Sequence, residues 1–202
     1  MKLLLINLFW ISTLYFSCKS DVNTSCNDGE GLYIKARYPI GAAINFDALV
    51  SDLRYLNIAA NQFNSVSPEN ILKAENIHPE ENRFNWTQVD SLISFCERYN
   101  KRFYGHTLIW HNQLPQWILD FKGNTMQWEH LMKTHIQTII SHYKDKVIAW
   151  EVVNEAFNED GTLRNSIWFE NIGPSYIEKA FKYAKEANPN ALLFYNDYNL
   201  ES

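Results

Sequence analysis

The run Trp150-Glu151-Val152-Val153-Asn154-Glu155 sets two polar groups directly behind an apolar segment. A Trp and a Val pair suit a pleated, largely buried strand, whereas Asn154 and Glu155 gain nothing from burial without partners. A carboxylate carried to the C-terminal tip of a rigid strand is well placed for acid–base chemistry. The competing reading is a strand-end Glu that caps the next helix or faces water. Three further clusters carry compatible chemistry. Glu69, Asn70 and Lys73 offer a carboxylate, an amide and an ammonium, groups that hold hydroxyls by hydrogen bonds. The stretch from His106 through Trp110 and His111 to Gln113 adds imidazoles, an amide and a flat stacking face. Asn196-Asp197-Tyr198-Asn199 closes the series.

Each cluster follows a segment with strand character. Strands are expected over residues 38–45, 62–66, 102–108, 147–154 and 191–195. Helical spacing runs through Leu49, Leu53 and Leu56 in 46–58, and through Leu92, Ile93 and Cys96 in 89–99. It recurs through Leu131, His135, Ile139 and His142 in 128–143, and through Ile177, Ala180, Phe181 and Ala184 in 175–187. A short helix containing Lys73 and a loop over 79–86, anchored by Phe84 and Trp86, complete the order. Alternating strands and helices define an α/β chain with a parallel sheet, either doubly wound or a (β/α)8 TIM barrel. A doubly wound sheet concentrates function at one switch point, while a barrel collects it from many strand ends. The polar residues behind four strands favour the barrel.

The chain of 202 residues, with 46% hydrophobic and 20% charged residues, is long enough for one sizeable core and reads as globular. A net charge of −5 argues against nucleic acid, whose phosphates call for a basic surface. Aromatics reach 15%, which fits a Trp-heavy core or an aromatic-lined groove equally well. Residues 1–18 read as an export signal: a Lys near the start, an apolar run too short to span a bilayer, then Ser17-Cys18. Cys18 is a candidate lipidation site, which would make a lipid anchor the membrane contact; simple secretion is the alternative. Residues 19–37 are expected to be a polar tether and 38–202 the folded unit. Cys96 lies on an apolar helical face and reads as a buried free thiol, although pairing with Cys26 stays open. His106 and His111 match neither a helical His-Glu-x-x-His pattern nor a Cys/His finger, so neither metal nor cofactor is expected. His130 joins His135 and His142 at helical spacing, and all three read as helix surface or core.

Taken together, four stretches form an ordered set. They are Phe63-Asn64-Ser65-Val66-Ser67-Pro68-Glu69-Asn70, Gly105-His106-Thr107-Leu108-Ile109-Trp110-His111, Trp150 to Glu155, and Phe194 to Asn199. The set resembles glycoside hydrolase family 10, the endo-β-1,4-xylanases, over residues 39–202. The resemblance implies a (β/α)8 barrel acting on xylan or xylo-oligosaccharides by a retaining mechanism, as a monomer when complete. It implies that Glu155 is the proton donor and acid/base, and that Asn154 contacts the sugar 2-hydroxyl. It assigns Glu69, Asn70 and Lys73 to one bound sugar, and His106, Trp110 and Gln113 to the reacting sugar and its neighbour. Glu151, at a position that is usually Asp in the family, and His111 are then residues that orient groups around Glu155 or tune it, with a satisfied polar role in the core as the alternative for each. Tyr198 and Asn199 are placed at the cleft edge.

A retaining glycosidase needs two carboxyl groups roughly 5–5.5 Å apart. In the family the nucleophile is a Glu at the end of the seventh strand, and only five strands are legible here. Barrels of this kind run to about 250 residues. The expectation is therefore an N-terminal portion that holds the acid/base Glu but lacks the nucleophile. Made alone, it should be unstable or aggregated, and inactive. Two alternatives are a non-catalytic glycan-binding relic and a related barrel enzyme acting on β-1,4-glucan.

Overall fold

A computed structural model describes residues 31–147 and 149–199. Helices α1 (Leu32–Lys35), α2 (Phe46–Ser51), α3 (Leu53–Gln62), α4 (Ala74–Ile77) and α5 (Thr87–Arg98) are followed by α6 (Gln116–Leu119), α7 (Thr125–His142), α8 (Ile167–Ile172) and α9 (Tyr176–Ala187). Strands β1 (Gly41–Ile44), β2 (Ser65–Pro68), β3 (Arg102–Gly105), β4 (Ala149–Asn154) and β5 (Leu192–Asn196) interleave with them. All four strand pairings are parallel, in the spatial order β1-β2-β3-β4-β5. Sequential parallel order with helices between strands is the order of a (β/α)8 barrel, of which five strands are described.

Local chemistry accounts for the element ends. The carboxamide of Asn45 accepts from Ala48 N–H and opens α2, and the carboxylate of Asp52 accepts from Arg54 N–H and opens α3. Asn124 and Gln127 form a reciprocal capping box on α7, and the Ser166 side chain caps α8. The core lies between the sheet and the helices, with Trp128, Trp150 and Trp168 fully buried. Three of the seven tryptophans are thus core, while Trp110 lies at the strand ends. Gly105 is needed where it stands: a Cβ there would lie 2.3 Å from the Trp150 ring on the neighbouring strand. His135 is buried in α7; its Nδ1 meets His78 Nδ1 at 3.0 Å and its Nε2 lies 3.0 Å from Leu108 O. Cys96 is a buried free thiol, and burial pushes its pKa up to about 12.

Several boundaries differ from expectation. The helix expected over 46–58 is broken at Asp52, whose extended backbone (φ −120°, ψ 110°) ends α2 while its side chain starts α3. The second strand is displaced: Gln62 still belongs to α3, and pairing begins at Ser65. Strand β3 ends at Gly105, yet the backbone N–H groups of Leu108 and Ile109 donate to Glu151 O and Val152 O beyond the gap. Helices α6 and α8 carry no strong periodic signal because each is under two turns long. The stretch expected as tether, 19–37, carries α1 near its end, and Leu32 N–H donates to Gln62 Oε1. The export signal, Cys18 and Cys26 lie outside the described residues.

Candidate active site

The site sits where the chain leaves the C-terminal ends of the strands. Glu155, one residue past β4, adopts a left-handed backbone with φ 53°. Its N–H donates to Asn196 O at 2.8 Å, which fixes the turn against the end of β5. Its carboxylate Oε2 accepts from Trp110 Nε1–H at 2.9 Å, and Asn154 Nδ2 lies 3.5 Å from Oε1. Asn154, itself buried, accepts from Asn196 Nδ2 at 2.9 Å, so its amide is oriented from the neighbouring strand.

The indole of Trp110 links this carboxylate to a second cluster. Lys73 Nζ stands 4.8 Å from the Trp110 ring centroid, a cation–π distance, and donates to Asn70 Oδ1 at 3.0 Å. Burial lowers the Lys73 pKa, and the negative charges of Glu69, Glu75, Glu155 and Glu151 oppose that shift. Gln113 Nε2 donates to Glu75 Oε1 at 2.7 Å and lies 3.5 Å from Asn70 Oδ1. Gln113 also has a left-handed backbone (φ 48°), and its carbonyl accepts from Glu75 N–H at 2.8 Å. His106 Nδ1 is 3.0 Å from Oε1 of buried Glu151. Tyr104 reaches the same carboxylate, and burial together with that charge pushes its phenol pKa up. His111 keeps a buried Nδ1 without a hydrogen-bond partner; burial and the Arg164 charge push its pKa down, against Glu155 and Asp197.

The structure therefore brings together Glu155, Asn154, Trp110, Lys73, Asn70 and Gln113 as one connected group, with Glu69 acting on it through charge. His106 and Glu151 pair beside that group, and His111 packs against Trp110 at a ring separation of 5.8 Å. Three participants were not singled out from the sequence. Glu75 lies two residues past Lys73 on the one-turn helix α4, where no periodicity marks it. Asn196 was legible only as part of a polar strand end. Arg164, nine residues past Glu155, has no spacing signal; its guanidinium Nε donates to Glu155 O at 3.0 Å.

A parallel α/β barrel whose strand ends converge on a carboxylate, amides, an ammonium and an indole is of the class that binds and transforms polar ligands at its C-terminal face. Residues 31–202 match Glycosyl hydrolase family 10, and the chain belongs to that family. It is 42% identical over 160 residues to endo-1,4-beta-xylanase B of Thermotoga neapolitana, covering 79% of this chain and 46% of that protein. It is 38% identical over 180 residues to exoglucanase XynX of Acetivibrio thermocellus, covering 83% of this chain and 17% of that protein. The crystal structure of xylanase 10B from Thermotoga petrophila RKU-1 in complex with xylobiose superposes with a TM-score of 0.76 at 44% identity. That superposition covers 81% of this chain and 50% of the other. The chain thus spans about half or less of the length of these relatives.

Proposed function

We propose that this chain carries the acid/base half of a retaining endo-β-1,4-xylanase. The observation that carries the reading is the Glu155 carboxylate at the tip of β4, held by Trp110 Nε1–H and flanked by the amide of Asn154, in a chain of this family. Glu155 donates a proton to the leaving glycosidic oxygen and later takes one from the attacking water. Asn154, oriented by Asn196, bonds the 2-hydroxyl of the reacting sugar, a bond that strengthens as oxocarbenium character develops. Glu69, Asn70, Lys73 and Gln113 hold the adjoining sugar through its hydroxyls, and Trp110 with His106 borders the reacting one. Glu151 keeps His106 in place, and His111 supports Trp110 through an edge-on ring contact. The nucleophile is contributed by a carboxylate outside residues 1–202, and the polypeptide of these residues alone is inactive. Export through residues 1–18, with Cys18 as the lipid-bearing residue, belongs to the same proposal, as does a monomeric complete form.

The test begins with the DNA beyond codon 202. A continued frame with an acidic residue at a seventh strand end supports the enzyme, whereas a stop codon supports a glycan-binding relic. The closed-barrel form is this chain extended by its own frame or, failing that, by the C-terminal half of the Thermotoga neapolitana relative. It is assayed on xylan and on cellulose. Glu155→Gln should lower xylan hydrolysis by about 10²–10⁴-fold, the usual range for a general acid–base group; full activity in that variant refutes the assignment. The name of the Acetivibrio thermocellus relative favours a second reading, β-1,4-glucan as substrate. Faster release from cellulose than from xylan would establish it.

A further inference from the structure

We infer that Arg164 is a positioning residue for Glu155, bracing the turn that aims its carboxyl group; this rests on the acid/base reading above. Three consecutive carbonyls leave β4 at Glu155, Ala156 and Phe157, and Arg164 donates to all three. Its Nε reaches Glu155 O at 3.0 Å, its backbone N–H reaches Ala156 O at 2.8 Å, and its Nη2 reaches Phe157 O at 3.0 Å. The same Nη2 donates to the Tyr198 hydroxyl at 2.9 Å, tying the exit of β4 to the exit of β5. Asp197 completes the tie from below: its carboxylate accepts from Phe157 N–H at 3.3 Å and from the Tyr195 hydroxyl, which itself accepts from Ala156 N–H at 3.1 Å.

The turn needs such a brace. Glu155 has φ 53°, a conformation that a non-glycine residue keeps only where its surroundings over-determine it. The strand fixes Asn154, and Asn196 O fixes the Glu155 N–H, but the carbonyl side of Glu155 is fixed by the Arg164 guanidinium. A planar guanidinium meets Glu155 O, Phe157 O and Tyr198 Oη at once because its N–H groups diverge in a rigid fork. A lysine ammonium, a point donor on a flexible stem, does not reproduce that geometry. The Tyr198 hydrogen bond raises the Arg164 pKa, burial opposes it, and the Glu155 and Asp197 carboxylates add to the rise; a guanidinium stays charged throughout the working pH range.

The experiment compares parent, Arg164→Lys and Arg164→Gln in the closed-barrel form, on xylotetraose and on 2,4-dinitrophenyl β-xylobioside. The dinitrophenolate leaves without a proton, so kcat/KM on the aryl substrate does not need the general acid, whereas cleavage between sugars does. A misaimed acid should lower kcat/KM on xylotetraose by roughly 10–100-fold, part of the full general-acid contribution. On the aryl substrate kcat/KM should stay within about threefold of the parent, the signature of an intact nucleophile and sugar subsites. Equal losses on both substrates mean a general structural role and overturn the proposal. Unchanged activity in both variants, or full rescue by lysine, also overturns it. Amide hydrogen exchange at residues 155–157 reads the brace without catalysis: both variants should lose protection there while α7 keeps its own. If the parent is inactive, the enzymatic reading fails; retained protection at 155–157 then refutes the brace separately. Should Arg164→Gln fail to fold, Arg164→Lys, which keeps the charge, carries both measurements.

Discussion

Residues 19–202 made as an isolated polypeptide should not form a stable soluble monomer. Among the described residues, strands β1 and β5 each pair on one side only, with four and five residues respectively. About two residues on each direct both N–H and C=O outward, so closure adds on the order of eight hydrogen bonds, roughly 8 kcal/mol at about 1 kcal/mol each. Leu192 and Phe194, on the inward face of β5, are 56% and 44% exposed. Covering them adds about 2 kcal/mol, since full burial of such side chains contributes about 1.5–3 kcal/mol each. The sum, about 10 kcal/mol, equals the whole stability of an ordinary domain, about 5–15 kcal/mol. Unpaired edges beside an open apolar interior also template association between copies. Size-exclusion chromatography, dye binding and thermal melting monitored by circular dichroism test this. The expected result is an aggregate, or a dye-binding species with a broad transition, which becomes a monomer with one sharp transition in the closed-barrel form. A monomeric isolated polypeptide melting cooperatively above about 45 °C, in the usual range for mesophilic domains, would refute the reasoning; xylan cleavage by it would also refute the missing nucleophile.

Other outcomes follow in the closed-barrel form. Gly105→Ala sets a methyl 2.3 Å from the Trp150 ring and should cost about 1–3 kcal/mol, a fall of roughly 2–12 °C in Tm; an unchanged melting curve sinks the close-packing argument. Glu75→Ala frees Gln113 Nε2 from its 2.7 Å partner and should raise KM for xylotetraose about two- to tenfold with kcat unaltered, the scale of one hydrogen bond. A change confined to kcat would place Glu75 elsewhere in the mechanism. Burial lowers His78 and pushes His135 down to about 3, with the Glu81 charge opposing on His78. Because the unfolded chain takes up those protons first, stability is fully present above about pH 6.5. It should fall as pH drops toward 3, by up to about 1.4 kcal/mol per pH unit for His135, with His78 adding in the same direction. Denaturant titrations from pH 7 to 4 should show a shallower slope in His135→Asn, and identical slopes would contradict the burial argument.

Strand–helix alternation and polar strand ends were enough to read the barrel and to single out most of the residues that gather at the candidate site, because both are local patterns. The parts that were not legible depend on contacts between distant segments. Asp52 breaks the first long helix because its extended backbone lets one carboxylate cap the next helix, which hydrophobic spacing cannot reveal. The second strand is displaced because pairing with β1, at Gly41↔Ser65 through Ile44↔Pro68, decides which residues form the ladder. Propensity alone favours Phe63 for that role. His78 escaped notice because a histidine in a polar loop has no periodic partner; its counterpart lies 57 residues away on α7.

Strand β4 illustrates the limit most clearly. In a regular strand side chains alternate, so Glu151 and Asn154, three residues apart, would face opposite sides of the sheet. Pairing with β5 runs Trp150↔Leu193 and Glu151↔Phe194, then resumes at Val153↔Tyr195 and Asn154↔Asn196. Val152 is thus an extra residue, a bulge of the kind that re-aims side chains beside active sites. After it the alternation is reversed, and Asn154 faces the barrel interior together with Glu151, opposite Asn196. The amide of Asn196 then holds Asn154, while the left-handed turn at Glu155 swings the carboxylate toward the Trp110 indole. The sequence shows the residues of the site, but a one-residue irregularity in β4 brings them onto one face. A substitution that lets β4 and β5 pair without the bulge would send Asn154 into the helix layer, leaving Glu155 without its neighbour even though every residue type of the candidate site was retained.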